Sequence, residues 1–452
     1  MNINNSLYQY RHIARLTVEA DSALAVGTGD SDVLTDAPVA RDVNGLPYIP
    51  ATSIAGVVRH ALGIKDGEES IFGHHDKNGG KGSQVVFTDA VMVGTDGKAV
   101  DGLAAIDWQD SFYAAYLQLP IRQHVRIDEC GTAEKSGKFD NEVVYKGTRF
   151  VFEMEIYSCE NQAEKFSQIL AVLGDDTLRF GGGTRSGYGK LKVVDGQTAT
   201  LNLTNGQDLH DYISKSSDLS VAWNRFAPFT LSAHCAQSGW TRYVLRLEPS
   251  DFFLFGSGLG DDDADNTPMT ESMVMWNGTT PTVVHRQVLI PASAVKGALA
   301  HRTAYHYNRL NRLFVENADS RSEDMRTKAT TGSANPAVAA IFGKMEGGKT
   351  TPGRLLMTDV IEGDLQAKVF SHNRIDVFTG GTVDGALFQE KSVCGMGKVY
   401  TLELLVADTA LADDQCREAF ERSLQDVCNG LLPLGGTVNR GHGTFTGQWT
   451  KN

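Results

Sequence analysis

The feature that most constrains the fold is an internal repeat, because the same short motifs occur twice in the 452-residue chain and in the same order. Each half has an Ile-Pro-Ala-Thr/Ser segment, an Ile-Phe-Gly motif, a strand-like run ending in Asp, an Arg-Ile-Asp motif followed by a Glu, and a glycine-rich loop. These motifs begin at Ile49 and Ile290, Ile71 and Ile341, Val85 and Leu355, Arg126 and Arg374, and Gly182 and Gly435. Ordered recurrence of independent motifs indicates a tandem duplication, so one fold is expected twice.

The boundary between the halves is expected in a Ser-, Asn- and Gly-rich stretch over about 195–238, where hydrophobic periodicity fades. We therefore predict a first domain over 1–215, with a linker over about 195–238, and a second domain over 239–452. The length agrees with this division, because a domain usually contains about 100–200 residues.

Each half shows the same succession of strands and helices. A strand-like start at 13–19 and 243–248 precedes a helix that we expect Thr52 or Ser293 to cap. A later amphipathic helix is predicted over 163–173 and 414–427. Strands and helices that alternate around mixed sheets are typical of the α+β class, and we predict a ferredoxin-like unit in each half.

Composition limits the function more weakly. The formal net charge of −13 opposes a polyanion partner, although contact with phosphates needs only a local basic strip. The six cysteines are scattered without a C-x-x-C pair, which predicts neither a zinc site nor a disulfide framework. No run approaches the ~18 apolar residues of a membrane span, and the first residues do not resemble a signal peptide, so a cytoplasmic protein is expected.

Two kinds of segment have the chemistry to contact a phosphate backbone. The glycine loops let main-chain N–H groups approach a phosphate while Arg185 or Arg440 supplies charge, although tight packing turns would look the same. The early helices carry basic residues such as Arg59 and Arg302, although an ordinary solvated face would also carry them.

Carboxylates cluster in the loop before each early helix. In the first half they include Asp36, and in the second half they include Asp265 and Glu271. Such loops can hold a hard divalent ion against a phosphodiester, or they can simply be hydrophilic.

Taken together, these segments resemble the RAMP superfamily of CRISPR systems, specifically the repeated backbone subunit of type III RNA-guided effector complexes. The resemblance rests on an Asp-x-Pro-Val-x-x-Asp loop at 36–42, the Pro-Tyr-Ile-Pro-Ala-Thr-Ser-Ile-Ala-Gly segment at 47–56, Phe72-Gly73, the strand ending at Asp89, Ile127-Asp128, Glu142 and the glycine loops. The combination covers most of both halves.

The resemblance implies two fused backbone subunits, each with an RRM-like palm and a β-hairpin thumb, at about 126–147 and 374–392. The implied partners are a guide RNA, a complementary target RNA, other RAMP subunits and the large subunit of the complex, without a membrane. In this family the thumbs displace bases of the guide–target duplex, and a loop aspartate promotes cleavage of the target RNA with a divalent metal ion, for which Mg²⁺ is expected.

The resemblance makes Asp36 the catalytic and metal-binding position of the first half. In the second half, alignment on Asn277-Gly278 points to Glu271 and alignment on Pro268 points to Asp265, so both stay candidates. The implied RNA-binding residues are Ser53, Arg59, Arg126, Gly183, Arg185, Gly187, Ser293, Lys296, Arg302, Arg374, Arg440 and Gly441. Ala55 replaces the family's lysine in the first half, whereas Lys296 retains it in the second.

Three other functions stay open at this point. The chain could be an architectural RNA-binding component with inert carboxylates. It could be a metal-independent guide-processing ribonuclease that uses His12 and His60 as acid and base. It could also be a metabolic α+β enzyme unrelated to RNA.

Overall fold

The computed structural model describes nine stretches of the chain: residues 8–29, 36–65, 70–76, 79–127, 132–231, 239–313, 331–346, 349–364 and 366–452.

The first half consists of strands and short helices in the order β1 (Tyr10–Ala20), α1 (Ala51–Ala61), β2 (His74–Asp76), β3 (Gly79–Lys81), β4 (Val85–Phe87), β5 (Val91–Met92), α2 (Ser111–Ala114), β6 (Ile121–Ile127), β7 (Ala133–Glu142), β8 (Arg149–Ser158), α3 (Ala163–Leu173), β9 (Leu191–Asn202), α4 (Gly206–Ile213) and β10 (Ala227–Pro228).

The second half continues with β11 (Trp240–Pro249), β12 (Phe252–Phe253), β13 (Thr270–Asn277), β14 (Thr280–Ile290), α5 (Ala292–Leu310), α6 (Pro336–Ile341), β15 (Gly343–Glu346), β16 (Lys349–Pro352), β17 (Leu355–Met357), β18 (Val360–Asp364), β19 (Ala367–His372), β20 (Phe388–Cys394), β21 (Tyr400–Ala407), α7 (Asp414–Cys428) and β22 (Phe445–Lys451). Short 3₁₀ turns lie at Gly332–Ala334, Asp408–Ala410 and Val438–Arg440.

The main sheets of the two halves have the same strand order. In the first half the order is β10-β9-β1-β8-β4, and in the second it is β22-β11-β21-β17. All of these pairings are antiparallel, and in both sheets the first strand lies between the last and the third of the four shared strands. The predicted mixture of helices and strands is therefore confirmed, and both halves have one topology.

Each sheet builds its own hydrophobic core with two helices. Leu16 of β1 packs in one buried cluster with Ile54 of α1 and Phe166 of α3. Leu245 of β11 and Phe420 of α7 belong to a second cluster in the other half. The late helices begin where the sequence predicts, because their apolar residues recur at helical spacing and face the sheet.

The start of each early helix corrects the sequence prediction. Thr52 and Ser293 lie inside α1 and α5, and neither helix has a side-chain cap from its preceding residue. Instead, Oδ1 of Asp89 accepts a hydrogen bond from the Ala51 N–H at 2.7 Å. Oδ1 of Asp359 accepts one from the Ala292 N–H at 2.8 Å. A carboxylate from a neighbouring strand end therefore stabilises the positive end of each helix dipole.

The stretch predicted as a linker contains ordered structure that packs on the first half. Strand β9 pairs with β1 as far as Asn202, and helix α4 follows it. Arg15 of β1 donates hydrogen bonds to the carbonyls of Leu219 and Val221. Residues 232–238 lie outside the described residues, and the domain boundaries themselves stay a prediction.

A buried ion-pair cluster joins the two halves. Arg122 of β6 donates through Nε to Glu271 at 2.6 Å and through Nη1 to Asp359. The side chains of all three are at most 4% exposed, and the Arg122 guanidinium also stacks on the ring of Tyr188. Burial alone would lower the pKa of Arg122, but Asp359 and Glu271 outweigh it and keep that pKa raised. Arg122 is therefore permanently charged within the junction.

A second contact runs alongside this cluster. The Trp276 indole donates to the Gly147 carbonyl at 2.7 Å, and the Val274 N–H donates to the Lys146 carbonyl. Strand β13 is thus fixed against the first half.

Among the described residues, no helix is long and apolar enough to cross a membrane.

Replacement of Arg122 by Ala should lower the free energy of unfolding by about 3–5 kcal/mol, because it leaves two buried carboxylates unpaired. Chemical denaturation followed by circular dichroism measures this loss. The control is Arg422→Ala, whose pair with Glu418 is largely exposed and should contribute less than about 1 kcal/mol. Equal effects of the two substitutions would contradict the structural importance of the Arg122 cluster.

Candidate nucleic-acid interface

The loop aspartates Asp36 and Asp265 occupy equivalent positions. An antiparallel bridge joins Gly27 to Val39 in the first half and Gly256 to Pro268 in the second. Each aspartate lies three residues before the second member of its bridge, and both are exposed. The structure therefore favours the alignment on Pro268, in which Asp265 corresponds to Asp36.

Both aspartates are anchored to the hairpin of their own half. Oδ2 of Asp36 accepts a hydrogen bond from the Asp140 N–H at 3.1 Å, and the Asp140 side chain accepts from the Asp36 N–H at 2.9 Å. Oδ2 of Asp265 accepts from the Gln389 N–H at 2.7 Å, and the Gln389 carbonyl accepts from the Asp265 N–H. Each carboxylate therefore keeps Oδ1 without a hydrogen bond to another described residue.

Glu271 does not lie with these aspartates. Its carboxylate is buried in the junction and is ion-paired with Arg122, so it cannot reach an RNA strand. This position has a structural role, so Glu271 does not belong with Asp36 and Asp265 in the candidate site.

The carboxylates around Asp36 fit a metal ion only if the substrate completes its coordination. Within the described part of the chain there is no group of three His, Cys, Asp or Glu residues that could hold one. Asp36 and Asp140 lie together, however, and Mg²⁺ is often held by one or two carboxylates plus phosphates and water. Asp265 has Gln389 as its neighbour and offers one carboxylate, while Asp30 and Asp32 lie outside the described residues.

Other loop acids of the second half have a partner within the protein. Lys391 of β20 forms ion pairs with Asp261 and, at 3.1 Å, with Asp263. The acidic loop is thus tied to the hairpin by charge as well as by the main chain. The Lys391 N–H donates to the Asn266 carbonyl, and the Glu142 N–H donates to the equivalent Ala37 carbonyl. Glu142 therefore corresponds to Lys391, whereas the Glu that follows the second Arg-Ile-Asp motif, Glu390, lies one residue earlier.

The glycine loops have the same backbone in both halves, but the expected register is wrong by one residue. The Gly182 N–H donates to the Ala25 carbonyl, and the Gly436 N–H donates to the Leu254 carbonyl, so Gly182 corresponds to Gly436. Left-handed backbone recurs at matching positions, namely Gly181, Gly183, Gly187 and Gly189 in one loop and Gly435, Thr437, Gly441 and Gly443 in the other. In this register Arg185 corresponds to Asn439, and Arg440 corresponds to Ser186. The two arginines are therefore not equivalent.

The loop of the first half is packed into the junction. A Cβ on Gly187 would lie 2.5 Å from Oδ1 of Asp359, and a Cβ on Gly183 would lie 2.4 Å from the Tyr188 ring. The Lys296 ammonium donates to the Arg185 carbonyl. Burial first, and then the nearby Arg185, lower the pKa of Lys296 to about 8. Four of the predicted RNA-binding residues thus meet where the two halves join, and Lys296 is committed to a contact within the protein.

The loop of the second half is open. No atom of the described residues lies within 4 Å of a Cβ built on Gly441. Arg440 forms an ion pair with the buried Glu390, and its guanidinium stacks on Phe388 at 4.7 Å.

The predicted basic faces of the early helices are partly neutralised. Arg302 donates to Asp426 of α7 at 2.5 Å and stacks on Tyr305. Arg59 donates to the Lys65 carbonyl at 3.1 Å. Ser53 and Ser293 are half-buried within the first turn of α1 and α5, respectively.

The hairpins begin earlier than predicted and expose both charge and apolar surface. Arg126 at the end of β6 and Arg374 after β19 are exposed. The exposed apolar side chains in these two segments are Ile121, Val125, Ile127, Phe139, Val369, Ile375, Val377, Phe378, Val383, Leu387 and Phe388. Apolar side chains grouped on a surface indicate contact with a partner.

Sequence reasoning missed a histidine on each hairpin. The His124 ring stacks on Phe139 with centroids 4.9 Å apart, and the His372 ring stacks on Phe388 at 5.0 Å. His124 also lies 2.8 Å from the hydroxyl of Tyr188, and burial followed by Arg122 lowers its pKa. The signal was present, because a His precedes each Arg-Ile-Asp motif by two positions.

The histidines proposed for acid–base catalysis are not brought together. His12 is buried in β1, where Nδ1 contacts Thr200 and Nε2 accepts from the Gln162 N–H. Burial lowers the pKa of His12. His60 is exposed on α1. His12 therefore has a structural role.

Comparison with known proteins agrees with this duplicated architecture. The model of the RAMP superfamily matches residues 17–192 and 254–446. One curated relative is the CRISPR system Cms endoribonuclease Csm3 of Methanocaldococcus jannaschii, which is 30% identical over 207 residues. The match covers 39% of this chain and 76% of that protein, so a single copy of the relative corresponds to less than half of the chain.

The matched glycines allow a test of the packed loop. Gly187→Ala should lower the free energy of unfolding by about 1–3 kcal/mol more than Gly441→Ala does, because only the first substitution forces a Cβ against Asp359. Both glycines have positive φ, at 116° and 91°, so backbone strain is common to the two variants. Chemical denaturation measures the difference, and equal losses would contradict tight packing at Gly187.

Lys296 should make stability depend on pH. Its pKa of about 8 in the folded chain lies below the ordinary value near 10.4, so between these values the unfolded chain binds a proton that the folded chain has released. Stability should therefore rise with pH in this window, by about 2–3 kcal/mol between pH 8 and 10, relative to Lys296→Met. Lys451→Met, at a half-exposed pair with Glu421, is the control and should follow the wild-type profile. A constant difference between the wild type and Lys296→Met would refute the assignment.

Proposed function

Because the chain belongs to the RAMP superfamily, we propose that it is a doubled backbone subunit of a type III CRISPR effector complex, one that binds guide RNA and cleaves complementary target RNA. The proposal includes two cleavage sites, at Asp36 and Asp265. Its partners are the guide RNA, the target RNA, other RAMP subunits and the large subunit, and its location is the cytoplasm.

The observation that carries the proposal is the repeated anchoring of a loop aspartate to a hairpin. In both halves an exposed carboxylate is held through one oxygen by a main-chain N–H of the hairpin, which leaves the other oxygen available. A purely hydrophilic loop would have no reason to repeat this bond. The relative from Methanocaldococcus jannaschii is named as an endoribonuclease, which supports the same conclusion.

In the proposed reaction the 2′-hydroxyl of the target RNA attacks the adjacent phosphate in line. Asp36 or Asp265 orients that hydroxyl through its available oxygen, and the hydroxyl proton passes to solvent as the 2′-oxygen bonds to phosphorus. The bond from phosphorus to the 5′-oxygen breaks, so one product ends in a 2′,3′-cyclic phosphate and the other in a 5′-hydroxyl that takes its proton from water. A bound divalent ion such as Mg²⁺ would supply charge neutralisation at the phosphate. Asp36 with Asp140 would hold the ion in the first half, and Asp265 would hold it in the second.

The RNA-binding surface of the proposal follows from exposed groups near these aspartates. Arg126 and Arg374 extend from the hairpins and can contact phosphates, and the apolar residues around them can wedge between bases. On this interpretation the hairpins are thumbs, and the four strands shared by the two main sheets, with their two helices, form ferredoxin-like palms. The glycine loop of the second half is open beside Gly441, where the guide can approach the main chain closely.

Conservative substitution tests both sites separately. In the assembled complex, Asp36→Asn and Asp265→Asn should each remove one cleavage position, with the rate there reduced about 100-fold or more, while target binding is retained. Denaturing gels of end-labelled target RNA identify the lost band. Asp263→Asn, in the same loop as Asp265 but paired with Lys391, is the control and should cleave normally.

Other results would select another function. Unchanged bands in both variants would mean that the chain is an architectural component. Cleavage that persists in EDTA would mean that the reaction is independent of metal. Absence of RNA from the purified assembly, judged by absorbance at 260 and 280 nm, would refute the proposal altogether.

A further inference from the structure

In the Arg122 cluster, two carboxylates form a binding site, here called the junction socket, for one guanidinium. The first half has acids at the positions equivalent to these two carboxylates. In the junction, the first half supplies Arg122, and the second half supplies the two carboxylates of Glu271 and Asp359. The guanidinium bridges the carboxylates through different nitrogens, which requires the planar fork of an arginine. Gly187 lies against Asp359 in the same place, where no Cβ fits.

The carboxylate positions of this socket recur in the first half as Asp42 and Asp89. Asp89 corresponds to Asp359, because each accepts a hydrogen bond from the first N–H of its early helix. Asp42 corresponds to Glu271, because equivalent main-chain hydrogen bonds precede the two acids. The Ala40 N–H donates to the Val26 carbonyl in the first half, and the Met269 N–H donates to the Phe255 carbonyl in the second. Each acid lies two residues after the donor of that bond.

These two acids line an open cavity of about 460 Å³, to which Tyr48 and Asp101 also contribute. Among the described residues that line the cavity, Arg41 is the one cation, and its guanidinium donates to Glu142 at 2.9 Å and to two main-chain carbonyls. Asp89 is exposed, whereas its equivalent Asp359 is 4% exposed beneath Arg122. Oδ1 of Asp42 accepts from the Asn44 and Leu46 N–H groups, and Oδ2 accepts from the Asn44 side chain at 3.3 Å. The cavity therefore has the two carboxylates that correspond to those of the junction socket, and its lining has a net negative charge, which suits a guanidinium.

The second half of this chain has no arginine at the required position. Arg122 lies two residues before the stacked His124, and the residue two positions before the stacked His372 is Phe370. The Phe370 ring packs on Phe252 with centroids 4.9 Å apart and cannot donate a hydrogen bond. A second difference is Ala55, which stands where Lys296 contacts the loop of the preceding half. The junction cannot be reproduced between two copies of this chain.

We propose that the cavity at Asp42 and Asp89 binds an arginine presented by the hairpin of a different RAMP subunit, and that a second copy of this chain is excluded from the site. The inference rests on the proposed function, because it takes the neighbour from the same assembly. The neighbour should also present a glycine near Ala51, as Gly187 does near Ala292.

Site-specific crosslinking tests the identity of the occupant. The photoreactive residue p-benzoylphenylalanine replaces the half-buried Tyr48 in the complete complex, purified with its guide RNA from cells that express all of its subunits. Mass spectrometry should identify a crosslinked peptide from another RAMP subunit, containing an arginine of its hairpin. A crosslink to Phe370 or its neighbours in a second copy, to RNA, or to no subunit would overturn the inference.

Charge removal tests the mechanism of binding. The double variant Asp42→Asn and Asp89→Asn keeps both hydrogen-bond acceptors for the main chain and removes the two charges. Native mass spectrometry should show that the fraction of assemblies retaining the crosslinked neighbour falls at least about tenfold. Asp96→Asn and Asp107→Asn, exposed acids outside the cavity lining, form the matched control and should retain it.

The two proposals fail in different ways. If guide RNA and target cleavage are present but the neighbour is retained by the double variant, only the inference about the arginine socket is wrong. If no RNA accompanies the assembly, the proposed function is wrong.

Discussion

The relative position of the two halves depends on one buried guanidinium held between two carboxylates. Removal of three charged groups from water is expensive, and it is tolerated only because Arg122 meets Glu271 and Asp359 directly. Such a cluster penalises any other arrangement, since each misplacement would leave a charge buried and unpaired. The ion pairs act together with apolar contacts, since Val274 of β13 is buried in the core of the first half. The glycine loop of the first half, helix α5 and strand β13 all pack at this junction.

Hydrogen bonds also connect the loop acids to the hairpins. Asp36 and Asp265 are far from the hairpin strands in sequence, yet a reciprocal pair of hydrogen bonds ties each to its own hairpin. An RNA duplex that displaces a hairpin would therefore also move the carboxylate. Because these hydrogen bonds join the two segments, movement of the hairpin and positioning of the acid are mechanically coupled. This coupling offers a physical reason for the proximity of hairpin and acid in both halves.

The repeat predicted much of this architecture, because strand and helix patterns are local and occur twice. The late helices and the first strands follow from hydrophobic periodicity. Asp36 follows from the carboxylate-rich loop and from the family resemblance. The sequence could not distinguish Asp265 from Glu271, because both lie in an acidic loop and only the pairing with Arg122 separates them. Helix capping by Asp89 and Asp359, and the burial of Lys296, likewise depend on contacts between segments distant in the chain.

The carboxylate of each loop acid accepts a hydrogen bond from a main-chain N–H of the hairpin, and a bond of this kind allows the identity of the hairpin residue to diverge. In the first half the Asp140 side chain also accepts from the Asp36 N–H. Asp140 and Gln389 illustrate the outcome, since an acid in one half and a neutral amide in the other support the same geometry. Duplicated sites built in this way can drift apart in ion affinity while their spacing along a bound strand stays constant. Under the proposed function, gene duplication would then provide two cleavage sites of different activity at a fixed spacing.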